Sequence, residues 1–304
     1  MTLLRTVLAI VTAMLISLVC PIFTTPASAV TALTVSGTRT LHDPPFPEQL
    51  LPAFFQGATI SRVDYPAAVF GMDRSIAIAQ QGLDTGMRNT AEAVIAAGFS
   101  QGAIAVAYAK KDLMALPAEQ RPDADLLTFL TIGDPAGAGG ILKTLRSRVP
   151  LIGLTPFTPP DTPYDTVIVN GEYDGWADFP DRPWNLVSLA NALLGIVYVH
   201  GRYETIPGGL DVSTVPPANI TTTVNSLGGS ATTYLIPTEK LPLVQPLRDI
   251  GVSEKFVTAI EKPLKKVVDK AYKRNDAPRE IRQPQRRAAQ ESHRRSSGRS
   301  AAAA

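Results

Sequence analysis

The chain has 304 residues, 45% of them hydrophobic and 18% charged, enough apolar material for one sizeable α/β domain with extra segments at its ends. Its formal charge is only +2, which points to no particular partner until the charge is divided along its length. Cys20 is the sole cysteine, so no disulfide within the chain supports the fold and core packing must do so.

Residues 1–29 read as a secretory signal. Arg5 supplies a positive start, and an apolar run from Thr6 to Phe23 is interrupted only by Thr12, Ser17 and Pro21. Ala27-Ser28-Ala29 then places small residues for cleavage after Ala29. The alternative is an uncleaved anchor, because the run approaches the ~20 apolar residues of a spanning helix; Pro21 and the tripeptide favour removal. Cleavage would leave a secreted or envelope-associated protein without any cysteine.

Residues 30–252 alternate strand and helix signals. Leu33 to Ser36 predicts a short strand ending at Gly37, and Ala58 to Val63 a second, stopped by Asp64-Tyr65-Pro66. Ala77 to Ala93 carries apolar residues at helical spacing. Ala93 to Ala97 is a compact apolar strand, followed by an alanine-rich helix from Gln101 to Leu116. Leu126 to Ile132 and Thr166 to Val169 are two further buried-type strands, stopped by Gly133-Asp134-Pro135 and Asn170-Gly171. Such alternation predicts an α/β fold with a central, mostly parallel sheet and helices on both faces, whose ligand site lies beyond the carboxyl ends of the strands. Ile220 to Ile236 predicts a β-hairpin around Leu227-Gly228-Gly229-Ser230. Residues 253–272 hold a Lys-rich amphipathic helix, expected to break at Pro263.

Residues 273–304 hold nine Lys/Arg against three acidic residues, a formal +6 that leaves −4 for residues 1–272. With almost nothing apolar to bury, this basic tail is expected to be disordered. It suits contact with an anionic membrane or envelope polymer, or is merely solvated. Nucleic acid is a poor partner, because the tail has no aromatic residue to stack on bases.

The strongest chemical signal is Gly98-Phe99-Ser100-Gln101-Gly102, a G-x-S-x-G sequence. By itself it is weak; between an apolar strand and a helix it matches the strand–turn–helix setting of a nucleophile elbow. The bland alternative is an ordinary Gly-Ser turn. A serine nucleophile needs a histidine base oriented by a carboxylate. Of three histidines, His293 lies in the tail and His42 precedes Ser100 in a Pro-rich loop, which leaves His200. The acid is expected between Ser100 and His200: Asp174 follows the strand ending at Asn170-Gly171, with Asp178, Glu172 and Asp134 as rivals. One oxyanion donor would be the Gln101 N–H; the other is sought in the early loop at Gly37-Thr38. No cofactor is expected. Gly133 to Gly140 lacks a P-loop lysine and dinucleotide spacing, and one well-placed histidine gives too few ligands for a metal.

Gly98-Phe99-Ser100-Gln101-Gly102-Ala103, Ser36-Gly37-Thr38, Asp64-Tyr65-Pro66-Ala67, Gly133-Asp134-Pro135 and His200-Gly201-Arg202-Tyr203 resemble the cutinase-like serine hydrolases. Tyr173-Asp174-Gly175-Trp176-Ala177-Asp178-Phe179-Pro180 and Thr232 to Glu239 are similar, more closely, to the PE-PPE domain, the mycobacterial branch of that group. The resemblance spans about Ala32 to Arg248. It implies an α/β-hydrolase (cutinase-like) fold, a triad of Ser100, Asp174 and His200, and an oxyanion hole of Thr38 and Gln101. It also implies esterase action on acyl esters or, in some members, acyl transfer to envelope glycolipids such as trehalose esters. The chain departs from the family in having no PE or PPE helical domain before the body. Arg202 to Thr233, rich in Pro, Gly and Thr, is expected to cover the site. The alternative from another class is a non-catalytic envelope-binding protein that works through its basic tail.

Overall fold

The computed structural model describes residues 29–205 and 210–276. The leader up to Ser28 and the tail beyond Asp276 lie outside the described residues.

Seven runs rich in β-branched and small apolar residues form one sheet. They are β1 (Val30–Val35), β2 (Thr59–Arg62), β3 (Ala93–Phe99), β4 (Leu127–Ile132), β5 (Asp165–Gly171), β6 (Ile220–Val224) and β7 (Ser230–Ile236). Their order is β2-β1-β3-β4-β5-β7-β6. Every neighbouring pair is parallel except β6 with β7, which form the antiparallel hairpin at one edge. The central strands read AVIAAGF and LTFLTI, nearly continuous apolar sequence, as burial on both faces of a parallel sheet demands.

On one face, Leu33, Val35, Val94, Ala96, Leu127 and Phe129 meet two long helices, α1 (Met72–Asn89) and α2 (Gln101–Ala115). The other face, with Ala97, Phe99, Leu130, Ile132 and Val169, is covered by shorter pieces: the helical turns around Leu50, Leu51 and Phe55, and the segment at Leu210 and Val212. A third apolar cluster lies beside the C-terminal end of β5. There α3 (Leu186–Tyr198) and α4 (Glu254–Asp269) pack with Tyr173, Leu241, Val244, Ala271 and Tyr272.

One helix has no counterpart in the sequence reading, and three expectations are corrected. The apolar residues from Leu193 to Tyr198 belong to α3, a helix that the run alone did not reveal; Asn185 caps it by accepting from Ser188 N–H at 3.2 Å. The last helix runs through Pro263 unbroken. Pro263 and Ala259 are both exposed, so the carbonyl that loses its helical partner faces water. The ordered body continues past residue 272: Lys273–Asn275 forms a helical turn, and Arg274, counted with the basic tail, is packed against Tyr272 with its guanidinium 4.1 Å from the ring centre. Finally, none of the described residues from 210 to 233 lines the cavity in front of Ser100. Leu210 and Val212 find apolar partners beside Leu50 and Leu51, and Leu210 N–H donates to the Leu50 carbonyl at 2.5 Å.

Candidate active site

The C-terminal ends of β1, β3, β4 and β5 converge, and each turn there carries one part of the site. Between β3 and α2 the chain reverses at Ser100, held at φ 54° and ψ −113°, a conformation that costs a non-glycine residue of order 1–3 kcal/mol and persists only where the surroundings enforce it. The enforcement is visible. A Cβ on Gly98 would lie 2.2 Å from the Gly102 carbonyl oxygen, and one on Gly102 would lie 2.5 Å from the Val35 carbonyl oxygen. Ser100 N–H is tied to the Ile132 carbonyl at the end of β4, at 2.9 Å. The side chain at this apex is thereby pushed out beyond the sheet.

His200, nine-tenths buried, starts the turn after α3. Its Nε2 is 2.8 Å from Ser100 Oγ and its Nδ1 is 2.7 Å from Asp174 Oδ2. The ring stacks on Phe99, with centroids 5.5 Å apart and planes 18° from parallel. Asp174 is fully buried. Its Oδ1 accepts the backbone N–H groups of Trp176 (2.8 Å) and Ala177 (3.1 Å), and Tyr203 Oη–H reaches Oδ2 at 2.8 Å. A buried carboxylate is tolerated when its lone pairs are filled in this way.

The loop before Thr38 is drawn against the elbow. Tyr65 Oη lies 2.8 and 2.9 Å from the Ser36 and Gly37 carbonyl oxygens, and Arg39 N–H donates to the Ala67 carbonyl at 2.7 Å. A Cβ on Gly37 would be 3.4 Å from that of Ser100. Thr38 and Gln101 both line the cavity that Ser100 faces. The Gln101 side chain is spent elsewhere, accepting from Ser75 Oγ at 3.0 Å and donating to the Ala68 carbonyl at 2.9 Å. What this residue offers the site is its backbone N–H, one of the first-turn donors that a helix leaves without an internal partner.

The rival acids are engaged away from His200. Asp178 accepts from Tyr173 N–H and Arg274, both at 2.7 Å, and burial pushes its carboxyl up to about 6, with Arg274 opposing. Glu172 accepts from Thr238 N–H at 3.2 Å. Asp134 accepts from Ala136 N–H at 2.9 Å, and burial raises its carboxyl too. His42 lines the cavity as an exposed side chain, with no hydrogen bond to Ser100; His293 lies outside the described residues. The structure therefore brings together Ser100, His200, Asp174, Thr38 and Gln101. Tyr203 and the two backbone donors on Asp174 were not identified beforehand. Tyr203 sits one helical turn after His200, and that spacing is the signal it offered.

The cavity in front of Ser100 measures about 410 Å³. Met72, Ile104, Ile152, Leu154 and Ile196 give it an apolar wall, and Thr38, Thr40 and Asp43 a polar one. Among the described residues, no group of three His, Cys, Asp or Glu side chains is arranged to hold a metal ion.

The family model of the PE-PPE domain matches residues 48–273. The chain belongs to the PE-PPE domain family. The match takes in the elbow, the acid loop and His200, begins after Thr38, and ends one residue before Arg274. Among curated relatives, the uncharacterised PPE family protein PPE63 of Mycobacterium tuberculosis (strain CDC 1551 / Oshkosh) is 33% identical over 278 residues, covering 81% of this chain and 56% of the relative. The diacyltrehalose acyltransferase Chp2 of strain ATCC 25618 / H37Rv is 38% identical over 203 residues, covering 64% and 55%. The esterase PE16 of the same strain is 40% identical over 184 residues, covering 60% and 34%. This PE-PPE chain spans about half the length of the curated relatives it matches.

Proposed function

We infer that the chain is a serine hydrolase acting on acyl esters, with Ser100 as nucleophile, His200 as base and Asp174 as the acid that orients it. The observation that carries this is the continuous hydrogen-bonded line from Ser100 Oγ through His200 to the buried Asp174, ending at a strained elbow that opens into an apolar cavity. A decayed site has no reason to keep Ser100 at positive φ.

In the proposed sequence, His200 Nε2 takes the Ser100 proton as Oγ attacks the ester carbonyl, and Asp174 holds the Nδ1–H. The negative charge developing on the carbonyl oxygen is met by Gln101 N–H and by Thr38, at the positive end of α2. His200 returns the proton to the departing alcohol, leaving the acyl group on Ser100. His200 then deprotonates an incoming hydroxyl, whose oxygen attacks the acyl carbonyl; as the acyl–Oγ bond breaks, His200 gives that proton to Ser100 Oγ and the free enzyme is restored.

If that hydroxyl is water, the outcome is hydrolysis; if it belongs to a sugar, it is acyl transfer. Relatives named for each outcome, PE16 and Chp2, support keeping transfer as the second form of the same chemistry. Export through residues 1–29 belongs to the proposal and is checked by sequencing the N-terminus of the mature protein, which should begin at Val30.

The test is turnover of a p-nitrophenyl ester series and labelling by a fluorophosphonate probe. Ser100→Ala and His200→Ala should each lose at least about 10³-fold in kcat/KM, and Ser100→Ala should lose the label. A folded wild-type protein with neither turnover nor label would end this reading. Adding a disaccharide acceptor to the ester assay separates transfer from hydrolysis by the products formed.

A further inference from the structure

His200-Gly201-Arg202-Tyr203 contributes more to the site than its histidine. Tyr203 is a buried phenol, 3% exposed, that the two-step chemistry does not use. Its oxygen has two partners. Gly171 N–H, at the end of β5, donates to it at 2.5 Å. The second is Asp174 Oδ2 at 2.8 Å. A phenol has one proton. Because Gly171 brings its own, the Tyr203 proton is the one that lies between Oη and Asp174. Burial and the neighbouring carboxylate both raise this phenol well above its usual range, so it keeps that proton at any working pH.

Asp174 Oδ2 is also the oxygen that receives His200 Nδ1–H, at 2.7 Å. Two donors thus divide one oxygen, while Trp176 and Ala177 N–H hold the other. The Tyr203 ring packs edge-on against both His200 and Phe99, with centroids 5.8 Å away in each case. Its placement is therefore fixed by β5 on one side and by the imidazole on the other.

We propose that Tyr203 is a positioning residue: its O–H, aimed by Gly171, shares Asp174 Oδ2 with His200 and sets both where the carboxylate sits and how strongly it pulls on the imidazole. This rests on the assignment of Ser100, His200 and Asp174 given above. With the phenol present, part of the charge on Oδ2 is spent on Tyr203, and the imidazolium formed during the reaction is held less tightly. Without it, Oδ2 turns wholly to His200, and the base keeps its proton to higher pH. The other titratable groups facing this cluster are Asp178 on the acid loop, whose charge also acts on Tyr203 and which is paired with Arg274, and His42 and Asp43, which line the same cavity.

The test is Tyr203→Phe, measured for kcat, KM and the pH dependence of kcat/KM on a soluble ester. Expected are a fall in kcat of roughly tenfold with KM within about twofold, and an acid limb moved to higher pH. The same substitution in an Asp174→Asn background should have no further effect on the limb, because the phenol acts through that carboxylate. An unmoved limb, or an equal effect in both backgrounds, would overturn the proposal and leave Tyr203 as core packing. Since Tyr203→Phe strips Gly171 N–H of its acceptor, folding is guarded by a second variant, 3-fluorotyrosine placed at position 203. Its stronger O–H donor should move the limb the other way, to lower pH, and no movement there overturns the proposal too. Failure of the underlying assignment looks different: the wild type itself would show no turnover and no Ser100 label.

Discussion

At the scale of single residues, Ser100 carries two demands that oppose one another. Its hydroxyl is the proposed nucleophile, and its backbone sits at φ 54°, ψ −113°, a region glycine enters without steric cost. The strain is therefore separable from the chemistry. Ser100→Gly should melt at a higher temperature than Ser100→Ala, by the equivalent of about 1 kcal/mol after glycine's extra chain entropy is counted, although both are inactive. Thermal unfolding of the two inactive variants side by side checks this. Equal melting temperatures would mean that the elbow is relaxed. The residues either side leave no such freedom, since any Cβ at Gly98 would overlap the Gly102 carbonyl.

At the scale of elements, the acid loop from Gly171 to Asp178 is held from outside the sheet. Tyr173, at φ 64°, sends its hydroxyl to Asp269 on α4 at 2.5 Å, and Arg274 reaches Asp178 at 2.7 Å and Glu172 at 3.6 Å. The Asp178 carboxyl is pushed up to about 6, mainly by burial, and Arg274 is what keeps it from rising further. The sign follows from linkage. A carboxyl whose folded value lies above its unfolded one binds its proton more tightly when folded, so this group favours folding as the pH falls through 6 and opposes it above. The guanidinium matters where the carboxylate is charged. Arg274→Ala should therefore lower the melting temperature more at pH 7.5 than at pH 5, and a loss of equal size at both would show that stacking on Tyr272, not the charge pair, is what Arg274 supplies. Removing the partner of a buried acid is costly because its charge is left stranded.

At the scale of the whole molecule, these contacts make the C-terminal segment part of the catalytic body. A chain ending after Asp276 should match the full chain in melting temperature and esterase rate. One ending after Tyr272 should lose both, because Arg274 and the Arg182–Asp276 pair, at 2.6 Å, go with it. Ester turnover and thermal unfolding of the two truncations decide the point; full activity in the shorter one would mean that the acid loop stands by itself.

The sheet was legible because its evidence is local. Apolar runs such as AVIAAGF and LTFLTI, stopped by glycine or Asp-Pro turns, identify buried parallel strands from the chain alone. Gly98-Phe99-Ser100-Gln101-Gly102 was legible for the same reason, since the clash that requires both glycines arises within five residues and the strand beside them. His200 followed by elimination among three histidines, and Asp174 by its place after β5. What stayed hidden depends on long-range neighbours. That α4 passes through Pro263 depends on which side of the helix faces water, and α3 on the cap and the cluster it joins. The outward boundary of the body depends on Arg274 finding Asp178 and Glu172, which lie about a hundred residues earlier. Local sequence determined the turns, the strands and the kinds of side chain available for chemistry. Only the tertiary structure decided which carboxylate met His200, because Asp174, Asp178 and Glu172 share one loop, and the choice rests on packing, where Arg274, Tyr203 and the backbone donors assign each acid its partner.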